Sequence, residues 1–264
     1  MALIRTSLEV GWTARLLDFL EENPGTEADL QTLVHQIQAV PAAETVAGSN
    51  DAVSANGAVS TGAAHRAGPA DLRALVARSE LAYSRGLAGD AAGARDQFAT
   101  LLPVTQRVLG PDHPDTLTNR HNIANFAGYA GDAGAARDQF AALFPVSVEV
   151  LGPDHPDTLA ARFNLAYWAG RAGDAAAARD LFAALLPIRE RVSGPDHPDT
   201  LAVREELASW TGQAGDAAGA RDQFAALLPI RERVYGSEDA DTVALWYQLA
   251  HWTALARDAA TAPD

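Results

Sequence analysis

A repeat of 42 residues constrains the fold of this 264-residue chain more than any other feature of its sequence. The segment Gly-Pro-Asp-His-Pro-Asp-Thr-Leu begins at Gly110, at Gly152 and at Gly194, and a degraded copy begins at Gly236. Behind the intact copies, Ala-Gly-Asp-Ala and Ala-Arg-Asp-x-Phe recur at the same spacing. Self-similarity at a fixed period of this length is typical of a solenoid, in which each unit packs only on its neighbours.

Each repeat has the pattern of two helices. In the third repeat, Asp157 or Thr158 is predicted to cap the first helix, and Asp174 to cap the second. The small side chains of Ala166 and Ala178 let the two backbones approach, and Phe182 fills the space beside them. The sequence therefore predicts an all-α solenoid of stacked helix pairs over residues 69–264. Its units are 69–110, 111–152, 153–194 and 195–236, with a partial unit at 237–264.

The first 68 residues do not follow the repeat. Apolar residues at helical spacing predict a short helical hairpin over residues 1–40, interrupted at Asn23-Pro24-Gly25. Residues 41–68 are rich in Ala, Gly and Ser, and we expect a flexible linker there. The alternative is a β-hairpin around Asn56-Gly57, a pair that favours a type I′ turn.

Composition excludes several kinds of chemistry. The chain has no cysteine, so disulfides, thiolate nucleophiles and Cys-ligated zinc are excluded. All 20 basic residues are arginine, which excludes a phosphate-binding loop ending in Gly-Lys-Ser/Thr and a Schiff-base lysine. The net charge of -14 disfavours nucleic acid and anionic membranes as partners. With no apolar run of about 18 residues and no secretory signal pattern, we expect a cytoplasmic protein.

The repeat resembles a known family. The pattern Asp-His-Pro-Asp-Thr-Leu, Asn-Leu-Ala, Ala-Gly-Asp, Ala-Arg-Asp-Leu-Phe and Leu-Gly-Pro is similar to the 42-residue tetratricopeptide repeat of the kinesin light chain type, common in multi-repeat actinobacterial proteins. The resemblance covers residues 69–258. It implies antiparallel helix pairs stacked into a right-handed superhelix, whose inner groove binds peptides or protein segments.

Two features depart from the family pattern. Pro103, Pro145, Pro187 and Pro229 lie inside the second helix of successive repeats, where an interior proline costs about 3 kcal/mol and kinks a helix. Leu185 and its equivalents in the other repeats are larger than the usual Ala. We therefore expect kinked second helices and pairs that are splayed at this position.

The loop histidines His113, His155 and His197 each stand in Asp-His-Pro-Asp. Equivalent residues of stacked repeats lie roughly 10 to 20 Å apart, as helix packing distances require, so they cannot share one metal ion. We expect loop and capping roles for them, with no metal site and no cofactor. The sequence has no Gly-x-Ser-x-Gly, His-Glu-x-x-His or calcium-loop motif, so no catalytic residue is assigned.

The resemblance also implies which first-helix residues face the groove. They come from equivalent positions of successive repeats and are mainly aromatic, amide-bearing or acidic: Tyr83, His121, Asn122, Asn125, Phe163, Asn164, Tyr167, Arg171, Glu205, Glu206, Ser209, Tyr247 and His251. Such a strip suits a peptide bound by apolar anchors and backbone hydrogen bonds. Trp168 and Trp210, one step round the helix, belong either to this strip or to the core between repeats.

These observations favour a scaffold or adaptor that binds a peptide or protein segment and is not an enzyme. The alternative is an enzyme or sensor that holds an apolar small molecule in an aromatic-lined pocket, and a peptide-pheromone sensor is a third interpretation. In the last unit Trp246, Tyr247 and Trp252 lie too close together on one helix for all three rings to face inward. We expect this helix to be covered by a second copy, in a homodimer, or by the N-terminal hairpin.

Overall fold

The computed structural model describes residues 69–261, which form nine helices and no strands. The expected hairpin over residues 1–40 and linker over 41–68 lie outside the described residues. The helices are α1 (Pro69–Leu87), α2 (Ala91–Leu109), α3 (Pro114–Tyr129), α4 (Ala133–Leu151), α5 (Pro156–Arg171), α6 (Ala175–Val192), α7 (Pro198–Gln213), α8 (Ala217–Tyr235) and α9 (Ala240–Thr261). None of these described helices combines the length and apolar character needed to cross a membrane.

The helices pack in chain order, as the repeat predicts. Each helix packs against the next one, and the first helices of neighbouring pairs, α1, α3, α5 and α7, also contact one another in sequence. Contacts between second helices of neighbouring pairs are fewer. Closer approach on one side curves a stack of helix pairs toward that side, which puts the first helices on the inner surface. The prediction of an all-α repeat solenoid is therefore confirmed.

Histidine starts the first helix of three repeats. The Nδ1 of His155 accepts a hydrogen bond from the backbone N–H of Asp157 at 3.2 Å, and Pro156 takes the first helical position. His113 and His197 do the same. The expectation that Asp157 or Thr158 caps this helix is wrong, because the cap is the residue before the proline. Thr158 is fully buried, and its hydroxyl donates to the carbonyl of Ser147 in the preceding pair.

Aspartate starts each second helix from α2 to α8. The side chain of Asp174 accepts from the backbone N–H of Ala177 at 2.9 Å, as predicted. Gly173, immediately before it, has φ of 100°. Glycine adopts this conformation without the steric cost that a Cβ would add, so the short turn between the two helices is defined by Gly-Asp.

The prolines inside the second helices do not end them. Pro187 lies within α6, and its side chain is exposed. Because proline has no N–H, the carbonyl four residues earlier, that of Ala183, loses its helical partner. Ala183 is exposed as well, so water can satisfy that carbonyl. The other three prolines stand in equivalent positions, after exposed alanines. The expected kink and splaying stay predictions.

The core is a series of equivalent clusters. In the third pair Ala166, Ala178, Phe182 and Leu185 are fully buried in one cluster. The predicted close approach at the two alanines, with Phe182 filling the space beside them, is confirmed. Equivalent phenylalanines, Phe98, Phe140 and Phe224, are at most 1% exposed. Each pair therefore has its own small core, joined to the next along the array.

Aromatic rings pack on glycines between neighbouring repeats. Trp210 of α7 is 5% exposed, and a Cβ built on Gly170 of α5 would lie 2.5 Å from its ring. The rings of Phe126, Trp168 and Trp252 press on Gly86, Gly128 and Gly212 in the same way. Only glycine leaves room for these rings. Trp168 and Trp210 thus belong to the core between repeats, which decides between the two interpretations open for them.

Candidate functional site

The predicted strip lies on the first helices, and its members differ in exposure. His121, Asn122, Asn125 and Asn164 are buried, at 4% to 6% exposure. Tyr83, Phe163, Tyr167, Glu205, Glu206 and Ser209 are half-buried. Arg171, Tyr247 and His251 are exposed. The strip is therefore partly packing surface and partly accessible surface.

The buried members join α3 to α5. The Nδ2 of Asn164 lies 3.2 Å from the Nε2 of His121, and the indole N–H of Trp168 donates to the Oδ1 of Asn125 at 3.0 Å. Burial lowers the pKa of His121 to about 4, so the imidazole is neutral at neutral pH. Its ring meets Phe140 edge-on, with 4.9 Å between ring centroids. Replacing Asn164 would therefore disturb the packing between repeats as well as any bound segment.

A chain of aromatic rings crosses three first helices. Phe126 lies between Tyr83 and Tyr129, with centroid distances of 5.9 Å and 6.3 Å. Trp168 lies between Tyr129 and Tyr167, with centroid distances of 5.2 Å and 5.0 Å. We call Tyr83, Tyr129 and Tyr167 the tyrosine patch. The buried rings fix the position of the three tyrosines, since each tyrosine packs edge-on or tilted against one of them.

Tyr129 is the residue that sequence reasoning missed. It is 41% exposed, and burial of the rest of the ring raises its pKa to about 12, with smaller contributions from Tyr167 and Tyr83. It stands on the last turn of α3, four residues after Asn125 and therefore on the same helix face. The signal was available, because Arg171, which the resemblance did indicate, occupies the equivalent position one repeat later.

Two glutamates on α7 form the acidic end of the strip. The carboxylate of Glu206 accepts from the indole N–H of Trp210 at 2.9 Å. Burial raises the pKa of Glu206 to about 7, with Glu205 adding to the shift and Trp210 and Arg171 opposing it. Glu205 accepts from Arg231 at 2.8 Å. The charge of this end therefore changes near neutral pH.

The strip offers no metal site within residues 69–261, where no group of three or more His, Asp or Glu side chains could hold an ion. The loop histidines are instead engaged in capping. What the arrangement can do is present aromatic, amide and carboxylate groups along a rigid surface.

Comparison with known proteins identifies the family. A family model described as tetratricopeptide repeat matches residues 73–146, 121–191 and 164–233, which together exceed half of the chain. The chain belongs to the tetratricopeptide repeat family. No curated protein matches it.

Solved structures agree on the fold of this tetratricopeptide repeat chain. It is similar to nearly identical TPR-like repeats from Podosopora anserina named for kinesin light chain, at 22% identity and a TM-score of 0.60 over 67% of this chain and 84% of that one. A variant form of those repeats gives 23% identity and a TM-score of 0.62 over 71% and 87%. BtubC (BKLC) from P. vanneervenii gives 19% and 0.60 over 72% and 74%. At these identities the likeness shows the fold alone.

Proposed function

We propose that this tetratricopeptide array is a cytoplasmic scaffold or adaptor that binds a segment of another protein along its first helices. The observation that carries the proposal is the tyrosine patch, in which rings from three neighbouring repeats lie on one surface and Tyr129 is 41% exposed. Rigid rings with an apolar body and a hydroxyl tip are favoured anchors at protein interfaces.

The charge of the surface indicates what the partner segment carries. Glu205 and Glu206 lie on α7, beside the α5 end of the patch, and the chain as a whole has a net charge of -14. An acidic segment would be repelled, whereas a neutral or basic segment with apolar side chains suits both parts of the strip. Nucleic acid and anionic membranes fit this charge poorly.

The test is capture of proteins from the native cell lysate by the full-length chain, quantified by mass spectrometry. Tyr129→Ser should reduce the captured partner at least tenfold, because it removes the most exposed anchor of the patch. His155→Ala is the control, since it removes a helix cap worth about 1 kcal/mol far from the patch. Circular dichroism checks that both variants remain folded. Equal loss of the partner in the two variants would overturn the proposal.

The exposed side of α9 supports a homodimer through this helix as a further proposal. Val243 and Ala250 stand two repeats after Leu159 and Ala166, which are 1% and 0% exposed in the cluster that holds Phe182. On α9 the equivalent face is open, and Tyr247 is 73% exposed beside Trp246 at 50%. Trp252 takes no part, because it is 7% exposed and packs on Gly212.

A further inference from the structure

A half-open cavity lies at the junction of the second and third repeats. Its lining comes from three successive helices, α3, α4 and α5: Leu117, Thr118, His121, Leu143, Ser147, Asp157 and Ala160. The polar groups in this lining are hydroxyls, an imidazole and a carboxylate. Since burial lowers the pKa of His121 to about 4, the only charge that the lining residues carry at neutral pH is the negative charge of Asp157.

The next junction along the array shows what fills the same place. Ser147 is replaced one repeat later by Arg189, and Asp157 by Asp199. Arg189 is only 5% exposed, and its Nη1 donates to the Oδ2 of Asp199 at 2.9 Å. The guanidinium of one repeat is thus held by the carboxylate that begins the next repeat.

The junction after that repeats the arrangement. Arg231 is 2% exposed, donates to Glu205 at 2.8 Å and lies 3.9 Å from the carboxylate of Asp241. Arg231 and Asp241 stand one repeat after Arg189 and Asp199. Two of the chain's own junctions therefore hold a buried guanidinium at this position.

At the cavity the chain supplies serine where the other two junctions have arginine. The side chain paired with Asp157 is the imidazole of its own loop residue His155, whose Nδ1 lies 3.8 Å from the carboxylate. The Asp157 side chain is 41% exposed, against 22% for Asp199 beneath its arginine. The carboxylate can therefore be reached from solvent, and the lining is shaped by the same fold that encloses a guanidinium elsewhere.

We propose that this cavity binds the guanidinium of an arginine side chain supplied by a partner protein, in the position that Arg189 and Arg231 fill at the next two junctions. Guanidinium fits better than ammonium, because its planar donors match a carboxylate and it is less strongly hydrated when it is enclosed. The inference goes beyond the proposed binding at the tyrosine patch and does not depend on it.

The test uses the full-length, ¹⁵N-labelled protein and two small probes. N-acetyl-arginine-N′-methylamide supplies the guanidinium, and N-acetyl-citrulline-N′-methylamide supplies a neutral group of nearly the same shape. The arginine probe should shift the backbone amide signals of Thr118, Ser147, Asp157 and Ala160. The citrulline probe should bind at least tenfold more weakly. Equal binding of the two probes, or shifts confined to other residues, would overturn the proposal.

Two variants check the position of the bound group. Ser147→Arg supplies the guanidinium from the chain itself and should abolish probe binding while raising the melting temperature. Ser147→Ala leaves the cavity open and should keep probe binding within about threefold, a factor below the tenfold step that 1.4 kcal/mol represents. If Ser147→Arg does not fold, Asp157→Asn replaces it, with at least a tenfold loss of probe affinity expected. Unchanged probe binding in both Ser147→Arg and Asp157→Asn would contradict the assignment, and the capture result for Tyr129→Ser would be unaffected.

Discussion

Gly170→Ala should destabilise the protein although it places a better helix former inside α5. The added Cβ would lie 2.5 Å from two ring atoms of Trp210, which is 5% exposed and has no free space to move into. Overpacking of this severity costs roughly 3 kcal/mol, the upper end of measured values. Replacing glycine in a helix recovers about 1 kcal/mol. The expected net loss in the free energy of unfolding is therefore about 2 kcal/mol.

The matched control is Gly134→Ala in α4, where the nearest atom to an added Cβ is the Oδ1 of Asp132, at 3.7 Å. Only the helix propensity acts there, so this variant should be more stable by up to about 1 kcal/mol. Urea denaturation followed by circular dichroism measures both variants. In a Trp210→Leu background, Gly170→Ala should lose most of its cost, and a double-mutant cycle gives the coupling. The reasoning is refuted if Gly170→Ala stabilises the protein as much as Gly134→Ala.

Two further predictions concern Glu206 and α9. Because burial raises the pKa of Glu206 from 4.5 to about 7, the folded state holds a proton that the unfolded state has released between these values, so stability falls as pH rises through this window. Glu206→Gln should remove a loss of about 3 kcal/mol at pH 8 relative to pH 4, measured by urea denaturation at both pH values; an unchanged pH dependence would contradict it. Tyr247→Glu should halve the mass that light scattering gives for a dimer of the 27.7 kDa chain, whereas Val150→Glu on α4 should not; a monomeric wild-type protein would contradict the dimer.

The sequence was sufficient for the fold because the repeat restates the same local rules. Gly-Asp turns, the buried Phe182 position and the small Ala166 and Ala178 recur in register, so one helix pair specifies the others. The cap of the first helix was assigned wrongly, since Asp and Thr are commoner caps than His and the chain offers all three side by side. The proline at the first helical position was the better guide, because the cap precedes it.

The candidate site was less predictable because exposure depends on packing between repeats. Asn125 and Asn164 were indicated as groove residues from their register, but register does not say that Trp168 and His121 would bond to them across the junction. The pairing of Trp with Gly two positions later, as in Trp168 to Gly170, repeats visibly in the sequence. It becomes interpretable only once the ring of one repeat is seen to need the glycine of its neighbour.

A photo-crosslinking amino acid, benzoyl-phenylalanine, tests the central claim most directly when it replaces Tyr129 in the tyrosine patch. The same group at Ala142, an exposed position on the second helix α4, is the comparison. After irradiation in the native cell, the account predicts a crosslinked partner protein from position 129, with the crosslink mapping to a neutral or basic segment, and none from position 142. Crosslinks to partners from position 142 alone would contradict binding along the first helices.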